Sequence, residues 1–262
     1  MKLLASDLDG TLFKNNMISR EDLHALKRFR EEGNKVIVST GRTKQGVDTI
    51  FKDYYFDYDY LVLCNGGLIL DNENKIIHKK SISNKIVIDI INKFFNYKSS
   101  MIYYDDGEAT KIIDNPLIDK SNIDRDFFES FANKVLLNEA LNGKKDCQMM
   151  SVFNVEQSIE LAEEIRKLII DEYGDYIEAF RNQCFIDIVP KECSKGNALS
   201  MILQDENLDA DCLYCVGDSF NDVSMFNITK NSYTFNEAEE KVKPYANNII
   251  DNVYEIVDEI LK

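Results

Sequence analysis

The sequence predicts an α/β fold: a doubly wound, Rossmann-like parallel sheet with a second α/β unit inserted. Three observations carry this. Short apolar runs alternate with helical patterns at both ends of the chain. Several of those runs stop abruptly at polar loops, at Asp7, Thr40, Asn65 and Gly217. Between about 81 and 187 the texture changes, and strand-like and helical stretches follow a different rhythm.

The elements follow in order. Lys2 to Ser6 is a short apolar strand ending in Asp7-Leu8-Asp9-Gly10-Thr11. Ser19 then precedes Leu23, Leu26 and Phe29 at helical spacing, with Asp22 completing a capping box and Gly33 closing the helix. Val36-Ile37-Val38 is a second strand and Thr43 opens the next helix. Tyr60 to Leu63 is a third strand, closed by Asn65-Gly66-Gly67. In the insert, Ile86–Phe95 and Ile159–Ile169 read as helices. Met101–Tyr104, Met149–Phe153, Tyr176–Phe180 and Cys184–Ile188 read as strands, the last two joined by a polar, solvated turn at Arg181-Asn182-Gln183. Pro190 marks the return, and residues 105–146 are too polar to assign. The tail resumes alternation: a helix from Ser194, strands at Cys212–Val216, Ser232–Phe235 and Asn248–Ile250, and a closing helix from Val253. The expected division is therefore 1–80 with 188–262 as one domain and 81–187 as the other.

Composition narrows the function. The chain has 262 residues, with 44% apolar and 29% charged, enough for a packed core. Its 31 basic and 46 acidic residues give a net charge of −15. That field repels nucleic acid and anionic membranes, so neither is an expected partner. No apolar run approaches the roughly 20 residues of a membrane helix. Met1 to Ala5 meets Asp7 too soon to act as a secretory signal, so a cytoplasmic location is expected. Cys212 and Cys215 have CxxC spacing, but in a strand they face opposite sides. With only His24 and His78 besides, zinc lacks ligands.

Four short motifs carry chemistry. Asp7 and Asp9 place two carboxylates at one strand end. One can attack phosphorus and the other can shuttle a proton. Ser39-Thr40-Gly41-Arg42 offers a hydroxyl and N–H groups at a helix start, a ready anion site. Lys195, opening a helix, opposes the helix dipole unless an anion lies nearby. Gly217-Asp218-Ser219-Phe220-Asn221-Asp222 supplies oxygen donors of the type Mg²⁺ prefers.

In this order the motifs resemble the haloacid dehalogenase (HAD) superfamily of phosphohydrolases, across nearly the whole chain. The insert, with Asp187-Ile188-Val189-Pro190 leading to Ser194-Lys195-Gly196, is similar to the large α/β cap of the Cof-type subfamily. One stretch departs from the pattern: Asp251-Asn252-Val253 stands where the family often carries Gly-Val. The resemblance implies a 1–80 and 188–262 catalytic core and an 81–187 cap. It implies Asp7 as nucleophile and Mg²⁺ ligand, and Asp9 as general acid/base that also contributes its carbonyl to the metal. Asp218 would complete the metal site, and Asp222 would bind the metal through water or orient Lys195. Thr40 and Lys195 would hold phosphoryl oxygens, with Asn221 near the phosphate and Leu8 and Gly41 also in the phosphate site; Arg42 would either face the substrate or pair with the acidic surface. The expected activity is Mg²⁺-dependent hydrolysis of small phosphorylated metabolites, sugar phosphates among them, through an aspartyl phosphate. The expected assembly is a monomer or weak homo-oligomer. Two other readings stay open: a sugar phosphomutase or phosphotransferase of the same superfamily, and a non-catalytic, receiver-like protein that is phosphorylated.

Overall fold

The computed structural model describes residues 1–107, 109–119, 132–143 and 146–262. The chain forms two compact units. The first comprises Met1–Gly41, Tyr54–His78 and Ser194–Lys262, and the second comprises Arg42–Asp53 and Lys79–Cys193.

The first unit is built on a sheet of eight strands. They are β1 (Leu3–Ser6), β2 (Lys35–Ser39), β3 (Tyr60–Leu63), β4 (Leu68–Asp71), β5 (Ile76–Lys79), β12 (Leu213–Val216), β13 (Asn231–Phe235) and β14 (Asn248–Ile250). Their order is β14-β13-β12-β1-β2-β3-β4-β5. From β14 to β3 every neighbour is parallel, and only β4 turns back against β3. β1 lies in the middle, its Leu3-Leu4-Ala5-Ser6 wholly buried. That burial explains its unbroken apolar run, since a parallel strand is covered on both faces. Leu3 and Ala5 join Ile37, Val62, Leu213 and Cys215 in one core cluster against the helix α6 (Lys195–Asp205).

The hairpin β4–β5 is absent from the sequence reading. Its turn is held by the Asp71 carboxylate, which accepts from the N–H groups of Glu73 and Lys75 at 2.9 and 2.8 Å. No Asn-Gly or Asp-Gly pair marks it, so the usual hairpin signal is missing.

Helix starts follow their caps. Ser19 Oγ accepts from Asp22 N–H and opens α1 (Arg20–Glu31). Ser194 Oγ accepts from Asn197 N–H and opens α6. Helices α7 (Val223–Phe226) and α8 (Tyr254–Ile260) complete the unit.

The second unit holds the sheet β10-β11-β9-β6-β7-β8. Its strands are β6 (Ser100–Asp105), β7 (Thr110–Ile113), β8 (Asn133–Val135), β9 (Met150–Asn154), β10 (Ile177–Asn182) and β11 (Phe185–Pro190). All its pairs are antiparallel except β7 with β8. The helices α2 (Lys44–Phe51), α3 (Asn84–Phe94), α4 (Leu137–Asn142) and α5 (Ile159–Tyr173) belong to it. One sheet face packs Ile102, Val152, Ile186 and Ile188 against Val87, Ile91, Ile165 and Ile169 of α3 and α5. The polar stretch 105–146 thus contains β7, β8 and α4; positions 108, 120–131 and 144–145 lie outside the described residues.

Two expectations are corrected here. Arg181 and Asn182 are not a solvated turn: they extend β10, with Asn182 opposite Phe185. The chain reverses instead at Gln183-Cys184, with Gln183 in the left-handed region at φ 52°. The alternation of β10 decides this, because Arg181 takes the next inward position after Ile177 and Ala179 and is buried. Its guanidinium donates to Gln183 O at 3.2 Å and faces Glu163 at 3.9 Å. Likewise the return read at Pro190 comes later: Pro190 is the last residue of β11, opposite Ile177, and the first unit resumes at Ser194.

All six cysteines are free thiols. Cys215 is buried in β12 and Cys212 precedes that strand. No helix among the described residues is long and apolar enough to cross a membrane.

Close backbone approach supplies a test of the packing. A Cβ at Gly196 would lie 2.1 Å from Ser224 O, where α6 meets α7. Gly196→Ala is expected to destabilise the protein by about 2 kcal/mol through overpacking. Thermal unfolding should show a melting temperature several degrees lower.

Candidate active site

The carboxyl ends of β1, β2, β3 and β12 lie side by side in the first unit, and each releases one polar segment. Asp7 leaves β1 with its N–H donating to Val216 O at 3.0 Å. Thr40 leaves β2 with its N–H donating to Val62 O at 2.8 Å. These bonds continue the parallel ladder and set the heights of both residues. Asp218 and Asp222 follow β12, and Lys195 opens α6.

The ammonium of Lys195 sits at the centre. Its Nζ lies 2.5 Å from Asp7 Oδ1 and 2.7 Å from Asp222 Oδ1. Lys195 and Asp222 are 0% exposed and Asp7 only 5%. The other Asp222 oxygen, Oδ2, accepts from the N–H groups of Asp218 and Ser219, each at 3.0 Å. Asp222 is thereby fully engaged, with one oxygen on the lysine and the other on the loop. Thr11 Oγ1 donates to Asp218 Oδ1 at 2.9 Å. Gly10, at φ 79°, passes so near Asp218 that a Cβ there would lie 2.7 Å from its Oδ2.

The electrostatics follow from this crowding. Carboxylate oxygens of Asp7, Asp218 and Asp222 lie within 4.8 Å of one another. Three carboxylates against one ammonium leave two negative charges unbalanced. Burial pushes the Asp7 carboxyl well above its ordinary value; Lys195 opposes this, while Asp222, Asp218 and Asp9 add to it. Burial and then Asp222 push Asp218 up to about 6, against the Thr11 hydrogen bond. Burial disfavours the Lys195 charge, but Asp222 and Asp7 overcome it and hold the ammonium above its ordinary value. Buried, hard oxygen donors carrying two excess negative charges fit a small divalent cation such as Mg²⁺.

The other expected positions divide. Asn221 is buried, and its Nδ2 donates to Asn65 Oδ1 at 3.1 Å. Thr40 is buried beside the half-buried Gly41. Leu8 sends its side chain into the core, so only its backbone is available to a ligand. Asp9 is half-buried, and its carboxylate is not one of the three that converge. Arg42 belongs to the second unit, where Nη1 donates to Gly46 O at 3.4 Å and the charge faces Tyr103.

Two groups escaped the sequence reading. Lys14 holds its ammonium 3.1 Å from the centre of the Phe235 ring, and burial lowers its pKa against the opposing pull of Glu237 and then Asp218. A lone lysine after a loop gives no sequence signal. In the second unit Tyr103, Ser151 and Asp187 form one row across β6, β9 and β11, with Ser151 Oγ donating to Asp187 Oδ1 at 2.9 Å. Only strand pairing brings those three together.

A surface cleft of about 670 Å³ lies elsewhere, lined by His24, Lys27, Arg30 and Tyr55. It also takes in Lys35 and Asp59, at the amino ends of β2 and β3, opposite the carboxylates. Its arginine is paired with Asp57 and Asp59.

Known proteins resemble this chain in sequence and in fold. A protein of Mycoplasma capricolum with no assigned function is 32% identical over 97% of this chain and 98% of its own length. Phosphatase YwpJ of Bacillus subtilis is 26% identical, over 95% of this chain and 94% of its own. Among solved structures, a sugar phosphatase of HAD subclass IIB superposes with a TM-score of 0.81, at 21% identity and 99% coverage of both chains. The model of the haloacid dehalogenase-like hydrolases matches residues 4–260, and the chain belongs to that family.

Proposed function

We propose that this protein is a Mg²⁺-dependent phosphatase of small phosphorylated metabolites, sugar phosphates among them, acting through an aspartyl phosphate on Asp7. The observation that carries the reading is the convergence of the Asp7, Asp218 and Asp222 carboxylates, two of them paired with one buried ammonium, with negative charge in excess. The kinship with a named phosphatase and the likeness to a solved sugar phosphatase support it.

In this reading Asp7 and Asp218, with the Asp9 carbonyl, hold Mg²⁺. When bound, the ion neutralises the repulsion between a phosphomonoester dianion and the carboxylates. A carboxylate oxygen of Asp7 forms the new bond to phosphorus as the ester P–O bond breaks, and Asp9 delivers a proton to the leaving oxygen. Water then attacks the aspartyl phosphate, Asp9 takes its proton, and inorganic phosphate leaves with Asp7 restored. Lys195, the Thr40 hydroxyl and backbone N–H groups at Leu8 and Gly41 hold phosphoryl oxygens, the positioning and charge stabilisation on which phosphoryl transfer chiefly depends. Asp222 orients Lys195, since both its oxygens are already occupied. The second unit corresponds to the expected cap and would set substrate selectivity.

Hydrolysis of p-nitrophenyl phosphate with Mg²⁺ tests this directly. Asp7→Asn is expected to lose roughly a thousandfold or more in kcat, as removal of a nucleophile does, and excess chelator to stop the wild type. Retained activity in Asp7→Asn refutes the assigned nucleophile. Product analysis with sugar phosphates should show free phosphate and no isomerised sugar phosphate.

Stability should respond with the opposite sign. The Asp218 pKa is raised from 3.8 to about 6, so its ionised form costs stability above pH 6, and the cost vanishes as pH falls below 3.8. Without metal at pH 7.5, Asp218→Asn is expected to melt a few degrees higher than wild type. Adding Mg²⁺ should raise the wild-type melting temperature and leave that of Asp218→Asn nearly unchanged.

A further inference from the structure

The loop after β3 concentrates backbone strain. Cys64, Asn65 and Gly66 follow one another at φ 53°, 48° and 95°, and all three are buried. Two consecutive non-glycine residues in the left-handed region are costly and persist only where the surroundings impose them.

Three contacts impose them here. The Asn65 N–H donates to Thr40 O at 3.1 Å. A Cβ at Gly66 would lie 2.3 Å from the carbonyl oxygen of Ser194, the residue before Lys195. Asn65 Oδ1 accepts from Asn221 Nδ2 at 3.1 Å. One loop therefore touches the segments carrying Thr40, Lys195 and Asn221.

Asn221 shows where this leads. Its Oδ1 is buried with no hydrogen-bond partner among the described residues. Such an atom is expensive unless something else satisfies it. Turning both amides over keeps their contact, with Asn65 Nδ2 then donating to Asn221 Oδ1. The Asn221 NH₂ group then occupies the orphaned position as a donor, and an anionic oxygen is its natural acceptor.

We propose that Asn65 is a positioning residue of the phosphoryl site: it fixes the Asn221 amide so that its outer atom meets an oxygen of the bound phosphoryl group. The inference rests on the phosphatase reading and assigns a role to a residue outside the four motifs. The strain is the means, because only the left-handed turn aims the Asn65 side chain at Asn221 while its N–H stays on Thr40.

Asn65→Gly tests it cleanly, since glycine relieves the strain and removes only the side chain. Inorganic phosphate binding with Mg²⁺ present is measured by calorimetry, beside p-nitrophenyl phosphate kinetics. In Asn65→Gly the relief of strain and the loss of the buried amide contact oppose each other, so the melting temperature should shift by no more than a few degrees, while phosphate Kd and KM rise roughly tenfold. The double variant Asn65→Gly/Asn221→Ala should be no worse than Asn221→Ala alone. Asn65→Asp, which keeps the backbone preference but adds a charge, should weaken phosphate binding further. Unchanged phosphate affinity in Asn65→Gly or Asn65→Asp, or losses in the double variant that simply multiply, overturns the inference. If wild type binds no phosphate and hydrolyses no ester, the phosphatase reading falls and takes this inference with it.

Discussion

A buried ammonium shared by two carboxylates organises the candidate site of this molecule. Lys195 is wholly enclosed, and its position is fixed by Asp7 at the end of β1 and Asp222 after β12. Ion pairs of this kind contribute little net stability against an apolar alternative, yet removing one partner costs roughly 3–5 kcal/mol. Such an arrangement is more useful for specifying geometry than for holding a fold together. The lysine offsets one charge of a cluster that would otherwise repel itself apart, and it leaves the excess that a divalent ion can balance. The same arrangement would let a chain with a net charge of −15 accept an anion in the proposed reaction. Local charge inside a low-dielectric crevice outweighs a distant surface field screened by salt.

Sheet order brings these groups together. β1 lies between β2 and β12, so the segments after them are neighbours although Asp7 and Asp218 are 211 positions apart. Register does the fine work. Main-chain bonds from Asp7 to Val216 and from Thr40 to Val62 set the heights at which the side chains leave the sheet. Glycines then remove what would obstruct: Gly10 lets Asp218 approach the first loop, and Gly66 lets the third strand's loop press on the start of α6.

Much of this was legible in the sequence, and for a physical reason. A buried parallel strand must be apolar to its end, so the first polar residue after it is conspicuous: Asp7, Thr40, Asn65 and Asp218 all stand out in this way. What escaped depended on pairing. The β4–β5 hairpin turns on the Asp71 side chain, with no glycine in the turn to announce it. Arg181 looked like turn material because it is charged, yet it continues the inward side of β10. The Tyr103, Ser151 and Asp187 row exists only once three strands are in register. The Asn65–Asn221 contact was equally hidden, although the Asn-Gly-Gly punctuation marked the place.

The placement of β1 also bears on how the protein is made. Its partners are β2, available almost at once, and β12, which begins at Leu213. During synthesis the first strand waits for about four-fifths of the chain with one edge unpaired, a long-range closure of the kind that folds slowly and exposes intermediates to aggregation. Asp7 meets Lys195 and Asp222 only after the whole insert has emerged. A nascent chain therefore carries Asp7 without the lysine that holds it, and the buried carboxylate cluster assembles only when synthesis has passed Asp222.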